Sequence, residues 1–125
     1  MYDGFMKFLK HIELSRELID KITAYFPTKV YKSHSHLFYE GQIPISGYLV
    51  LDGSIQISKK KKFKKMLQSG SLIGVAELMN KIPSPISAEV FPNTQVCFLD
   101  KSTLIEIYQK ADSDIVNLLK QIAET

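Results

Sequence analysis

Cysteine is almost missing from these 125 residues: Cys97 stands alone, so no disulfide can close within the chain. Its setting, Gln95-Val96-Cys97-Phe98-Leu99, has the pattern of a buried strand and assigns the thiol to a core, not to nucleophilic chemistry. Also missing is any apolar run of about eighteen residues or more, the length that reads as a membrane-spanning helix. The first residues, with Asp3 inside a scattered apolar pattern, lack the layout of a secretory leader. A cytoplasmic chain with no membrane partner is therefore expected. No serine sits in a nucleophile elbow, no carboxylate pair is marked by spacing, and no phosphate-loop or dinucleotide glycine pattern occurs. These absences argue against an enzyme.

What is present is the composition of one ordinary globule, 45% apolar and 23% charged, long enough to bury a core. The chain divides into three stretches. Residues 1–26 carry helical spacing, first in Tyr2, Phe5, Met6 and Leu9, then in a second helix for which Ser15 is the N-cap. Leu14 and Ile19 are placed as a hydrophobic staple, Leu18, Ile22 and Tyr25 complete the apolar face, and Pro27 ends the helix. Residues 28–99 change to short β-like runs separated by Gly, Pro, Asn and Ser, the signature of a small barrel or jelly roll. Ser54 to Ser58 alternates cleanly, and Tyr48 to Leu51 is apolar throughout, as in a strand buried on both faces. Residues 100–125 return to helices, with Asp100 or Ser102 as cap and a final stripe of Ile115, Leu118, Leu119 and Ile122.

The informative stretch runs from Leu72 to Val90. Gly74 ends an apolar strand, Val75 to Met79 suffices for about one helical turn, and the amides at the start of such a turn lack intrahelical partners. Pro83 and Pro85 stiffen the loop that follows, and Ser87-Ala88-Glu89-Val90 re-enters a strand. Strand, glycine, short helix, rigid loop and strand make the wall of a pocket for a small phosphate-bearing ligand.

With Gly74-Val75-Ala76-Glu77-Leu78 and Ile86-Ser87-Ala88, the chain resembles the cyclic nucleotide-binding domain, the sensor module of catabolite activator-type regulators and of cyclic nucleotide-dependent kinases and channels. The resemblance runs over residues 12–110 and includes Leu37 to Gly41, Gly47 to Ile57 and Leu67 to Gly70, with glycines at 41, 53, 70 and 74 in the family's order. It implies a mostly β, double-stranded jelly roll with flanking helices, cupin-like in outline. It also implies a glutamate for the ribose hydroxyl and an arginine for the cyclic phosphate, where this chain carries Val75 and Ile86. Losing the arginine alone should weaken phosphate binding by roughly one to two powers of ten. We therefore expect a regulatory sensor or interaction module, with weak or no binding of cyclic AMP or cyclic GMP. The candidate ligand-binding residues are Gly74, Val75, Ala76, Glu77, Lys81, Ile86, Ser87 and Ala88. An alternative is a working cyclic nucleotide sensor in which Lys81 and the Ser87 hydroxyl replace the arginine. The last helix, in regulators of this kind, pairs with its twin, so a homodimer is expected. No helix-turn-helix fits after it, so this chain is not expected to read DNA bases.

Two further clusters carry chemistry. Lys59, Lys60, Lys61, Lys62, Lys64 and Lys65 outweigh the whole net charge of +3, so the rest of the chain is net acidic. We read them as a solvated hairpin tip that protects a sheet edge. His34, His36 and Glu40, followed by Gly47, resemble the first motif of metal cupins, which gives a second alternative, a metal-dependent cupin-type enzyme. Its second motif needs a further histidine downstream. The only other one is His11, so no metal and no resident cofactor is expected.

Overall fold

A computed structural model describes residues 12–110 and 116–117. The stripe of Tyr2, Phe5, Met6 and Leu9, His11, and the stripe of Ile115, Leu118, Leu119 and Ile122 lie outside these residues. Nine strands and three helices are described, in the order β1 (Ile12–Glu13), α1 (Arg16–Thr23), β2 (Thr28–Tyr31), β3 (Ser35–Phe38), β4 (Gly47–Asp52), β5 (Ile55–Lys59), β6 (Phe63–Leu67), β7 (Ser71–Ile73), α2 (Val75–Asn80), β8 (Ser87–Val90), β9 (Thr94–Leu99) and α3 (Lys101–Lys110).

The strands form two antiparallel sheets, ordered β1-β7-β4-β9-β2 and β3-β8-β5-β6. Their facing surfaces make the jelly roll, and the side chains follow the two-residue period of each strand. In β5, Ile55 and Ile57 are fully buried while Gln56 and Ser58 look outward. β4 is central in the larger sheet, flanked by β7 and β9, and Tyr48, Leu49 and Val50 are buried in succession, as its unbroken apolar run predicts. The glycines at 41, 53, 70 and 74 all have positive φ. At Gly53 a Cβ would come within 2.5 Å of Thr94 Oγ1, which itself ties Ser54 to β9 through its amide and carbonyl.

The core has two parts. One lies inside the roll and holds Phe38, Tyr48, Val50, Ile55, Ile57, Ile73, Ile86, Ala88 and Val96. The other lies where the helices cover the larger sheet and holds Ile19, Ile22, Phe26, Leu49, Leu72, Val75, Cys97, Leu99, Leu104 and Ile107. Ser15 caps α1, its Oγ accepting from the Leu18 amide at 3.3 Å. The expected apolar face is corrected at one place: Tyr25 is 50% exposed, and Phe26 is buried instead. α1 stops at Thr23, so the helical spacing that would turn Tyr25 inward no longer applies there. Asp100 caps α3, accepting at Oδ2 from the Thr103 amide (3.0 Å) and the hydroxyls of Ser102 and Thr103. Burial raises the Asp100 pKa, and these hydrogen bonds outweigh it, so the net shift is downward.

Candidate ligand site

Gly74, in the left-handed region at φ 83°, turns the chain from β7 into α2, and the Leu78 amide donates to its carbonyl at 3.0 Å. This turn lays the cassette on the strand opposite. A Cβ on Gly47 would lie 2.4 Å from Val75 Cγ2, so the valine side chain rests directly on the Gly47 backbone. Val75 is 1% exposed and packs with Ala76 and Leu78 in the helix-covered core. Ile86 is 4% exposed and packs with Ala88 inside the roll. The two positions at which the resemblance implies polar anchors are thus apolar and buried. Three aromatic rings pack in the same cluster as Ile86: Tyr48 stacks on Phe38 with centroids 5.9 Å apart and meets Phe98 edge-on at 5.5 Å. Burial, then the neighbouring Tyr31, push the Tyr48 phenol up to about 12.

The remaining candidates are placed as follows. Glu77 is buried, at 4% exposure, on α2. Lys81 is exposed and forms the C-cap of that helix at φ 56°, its amide donating to the Glu77 carbonyl. Ser87 starts β8 half-buried, and its Oγ accepts from the Glu40 amide at 2.8 Å. Between them the loop is held by a residue that sequence reasoning passed over. Ser84 is 2% exposed; its hydroxyl donates to the Ile86 carbonyl at 2.7 Å, and its backbone exchanges bonds with Gly41 and Gln42.

Outside the roll a second constellation appears. His36 Nε2 lies 2.9 Å from Glu89 Oε1, and His34 Nε2 lies 3.4 Å from Oε2 of the same carboxylate. Glu40 does not join them. Its Oε1 accepts from the Lys60 amide at 2.8 Å, so the alternative that grouped His34, His36 and Glu40 is corrected: Glu40 clamps a hairpin, and Glu89 faces the imidazoles. The reason is register. β3 pairs with β8, which sets His36 opposite Glu89, while Glu40 falls beyond the end of β3. Among the described residues no group of three or more His, Cys, Asp or Glu side chains is arranged to hold a metal ion. No described helix is long and apolar enough to cross a membrane.

Two facing antiparallel sheets, closed by a short helix after a left-handed glycine and flanked by further helices, define a jelly-roll domain. The chain belongs to the Cyclic nucleotide-binding domain family, whose profile matches residues 28–111. It is 28% identical to the cAMP-dependent protein kinase regulatory subunit of Candida albicans over 126 aligned residues, covering 97% of this chain and 26% of that protein. The chain thus spans about a quarter of that relative's length. Among solved structures, the Catabolite Activator Protein of Thermus thermophilus superposes with a TM-score of 0.66 at 20% identity, over 87% of this chain and 51% of the other. A protein of a cyclic-GMP-dependent signalling pathway in bacterial phytopathogenesis superposes with a TM-score of 0.76 at 14% identity, over 86% of this chain and 89% of the other. At these identities the structural likeness shows the fold.

Proposed function

We propose that this domain is a regulatory module, not an enzyme, whose family pocket binds cyclic AMP and cyclic GMP weakly or not at all. The observation that carries this reading is the burial of Val75 against Gly47 and of Ile86 inside the roll. Neither side chain offers a donor to a phosphate or an acceptor to a ribose hydroxyl. Lys81 and Ser87 are poor replacements, because one is the exposed C-cap of α2 and the other already accepts the Glu40 amide.

Regulation in this reading runs through packing. Val75, Ala76 and Leu78 of α2 share one core with Leu104 and Ile107 of α3, and Val116 packs against the same core. A displacement of α2 by a partner or an apolar ligand therefore repacks the C-terminal helices. Those helices are the proposed seat of homodimerisation, by the stripe of Ile115, Leu118, Leu119 and Ile122. The module serves in the cytoplasm as the sensor part of a larger regulator, a kinase regulatory subunit or a transcription factor.

A thermal-shift series tests the proposal. A ligand at about one hundred times its Kd stabilises the folded state by about 2.7 kcal/mol, several degrees in a domain of this size. Cyclic AMP and cyclic GMP at millimolar concentration are expected to leave the melting temperature within about one degree. A rise of several degrees with either nucleotide would overturn the proposal.

A further inference from the structure

The outer face of the smaller sheet carries a cavity of about 420 Å³ lined by polar, charged and aromatic side chains, within the usual range for small-molecule sites. Strand alternation builds its floor. Lys64, Ser58 and Ser87 stand in one cross-strand row of β6, β5 and β8, and Gln56, Glu89 and His36 in the next row of β5, β8 and β3. Their neighbours Ile57, Ala88 and Leu37 point into the roll, so this cavity is separate from its interior.

Two walls rise from that floor. Tyr39 stacks on His36, with centroids 4.4 Å apart and planes 15° apart, and is 56% exposed. Opposite, the β5–β6 hairpin brings Lys61 to the cavity rim. The turn is closed by the Lys62 amide donating to the Lys59 carbonyl, with Lys60 at φ 54° and Lys61 at φ 59°. Left-handed φ at both central residues is the geometry of a tight hairpin turn, adopted here by two lysines where Gly or Asn is usual. The turn is held by Glu40, whose carboxylate accepts the Lys60 amide while its own amide donates to Ser87. One residue thus ties the hairpin tip to the cavity floor.

We propose that this cavity binds a small phosphomonoester carrying a planar ring. Lys61 and Lys64 supply two ammonium groups for the phosphate, the His36–Tyr39 stack supplies the ring surface, and Glu89 accepts from ligand hydroxyl or amino groups. A carboxylate has about four lone-pair positions, so the contacts to His34 and His36 leave it acceptor capacity. The proposal does not depend on the state of the roll interior.

Nuclear magnetic resonance titration of the full isotope-labelled chain with 5′-AMP, and separately with inorganic phosphate, provides the test. Saturable shifts are expected at Tyr39, Glu40, Lys60 to Lys64 and Ser87 to Glu89, with phosphate binding more weakly than 5′-AMP. The double variant Lys61→Ser with Lys64→Ser is expected to weaken 5′-AMP roughly tenfold or more. If that variant fails to fold, Tyr39→Ala carries the same expectation through the lost ring surface. Three results would overturn the proposal: no saturable shift, unchanged affinity in the folded variant, or shifts centred on Gly74 to Leu78, which would place the nucleotide inside the roll.

Discussion

Val75 and Ile86 are the residues on which the functional reading turns, and both are apolar side chains in close-packed surroundings. Restoring the expected polar anchors by Val75→Glu or Ile86→Arg would bury an uncompensated charge, at a cost of about 3–5 kcal/mol. Denaturant unfolding should show that loss for each single variant; a loss below about 1 kcal/mol would indicate that the site is open to water. Cys97 is equally settled by its surroundings: burial pushes its thiol up to about 11, and its Sγ lies 3.7 Å from the Phe26 carbonyl. The folded protein should resist thiol reagents near neutral pH and react only as it unfolds. At this scale the identities at 75 and 86 were legible in the sequence. The partner of His34 and His36 was not, because Glu89 reaches them across a strand pair whose register no local pattern specifies.

Among the elements, the β5–β6 hairpin is the exposed lysine tip at a sheet edge that its sequence suggests, with backbone detail that the sequence did not carry. Its lysines read as a merely solvated tip, yet two of them occupy the left-handed region and the turn is clamped by Glu40. Glycine has no Cβ penalty there, so Lys61→Gly should raise stability by about 1 kcal/mol, seen as a higher melting temperature. A lower one would mean that the lysine side chain has stabilising contacts larger than the strain. Helix α3 makes a pH-dependent prediction. The Asp100 pKa is depressed in the folded state, so its contribution is present above the unfolded value and fades as pH falls through the folded one. Asp100→Ala should cost about 1 kcal/mol at neutral pH, by loss of the cap. The gap between variant and parent should close in acid, and a gap independent of pH would refute the role of the ionised carboxylate. The Ser15 cap was readable in advance, and Asp100 was one of two candidates with Ser102, because capping is local chemistry. The short strand β1 was not, since it exists only by pairing with β7 far along the chain.

For the molecule as a whole, the fold class was legible because β5 alternates, β4 is continuously apolar, and the glycines at 41, 53, 70 and 74 fall where positive φ is needed. The division of the core was not legible: Val75 and Ile86, neighbours in the cassette motif, pack into different apolar clusters, a result of sheet topology alone. That division places α2 in one cluster with α3 and not with the roll interior, the packing on which the proposed regulation rests. If the C-terminal stripe forms the proposed dimer, light scattering across a concentration series should detect it, and Leu118→Asp should dissociate it. A monomer at every concentration would refute this part. The central claim, a family pocket closed by its own apolar side chains, is tested most directly by calorimetric titration of the unmodified chain with cyclic AMP and cyclic GMP. The account predicts no saturable heat up to millimolar nucleotide; a Kd in the micromolar range or tighter for either would contradict it.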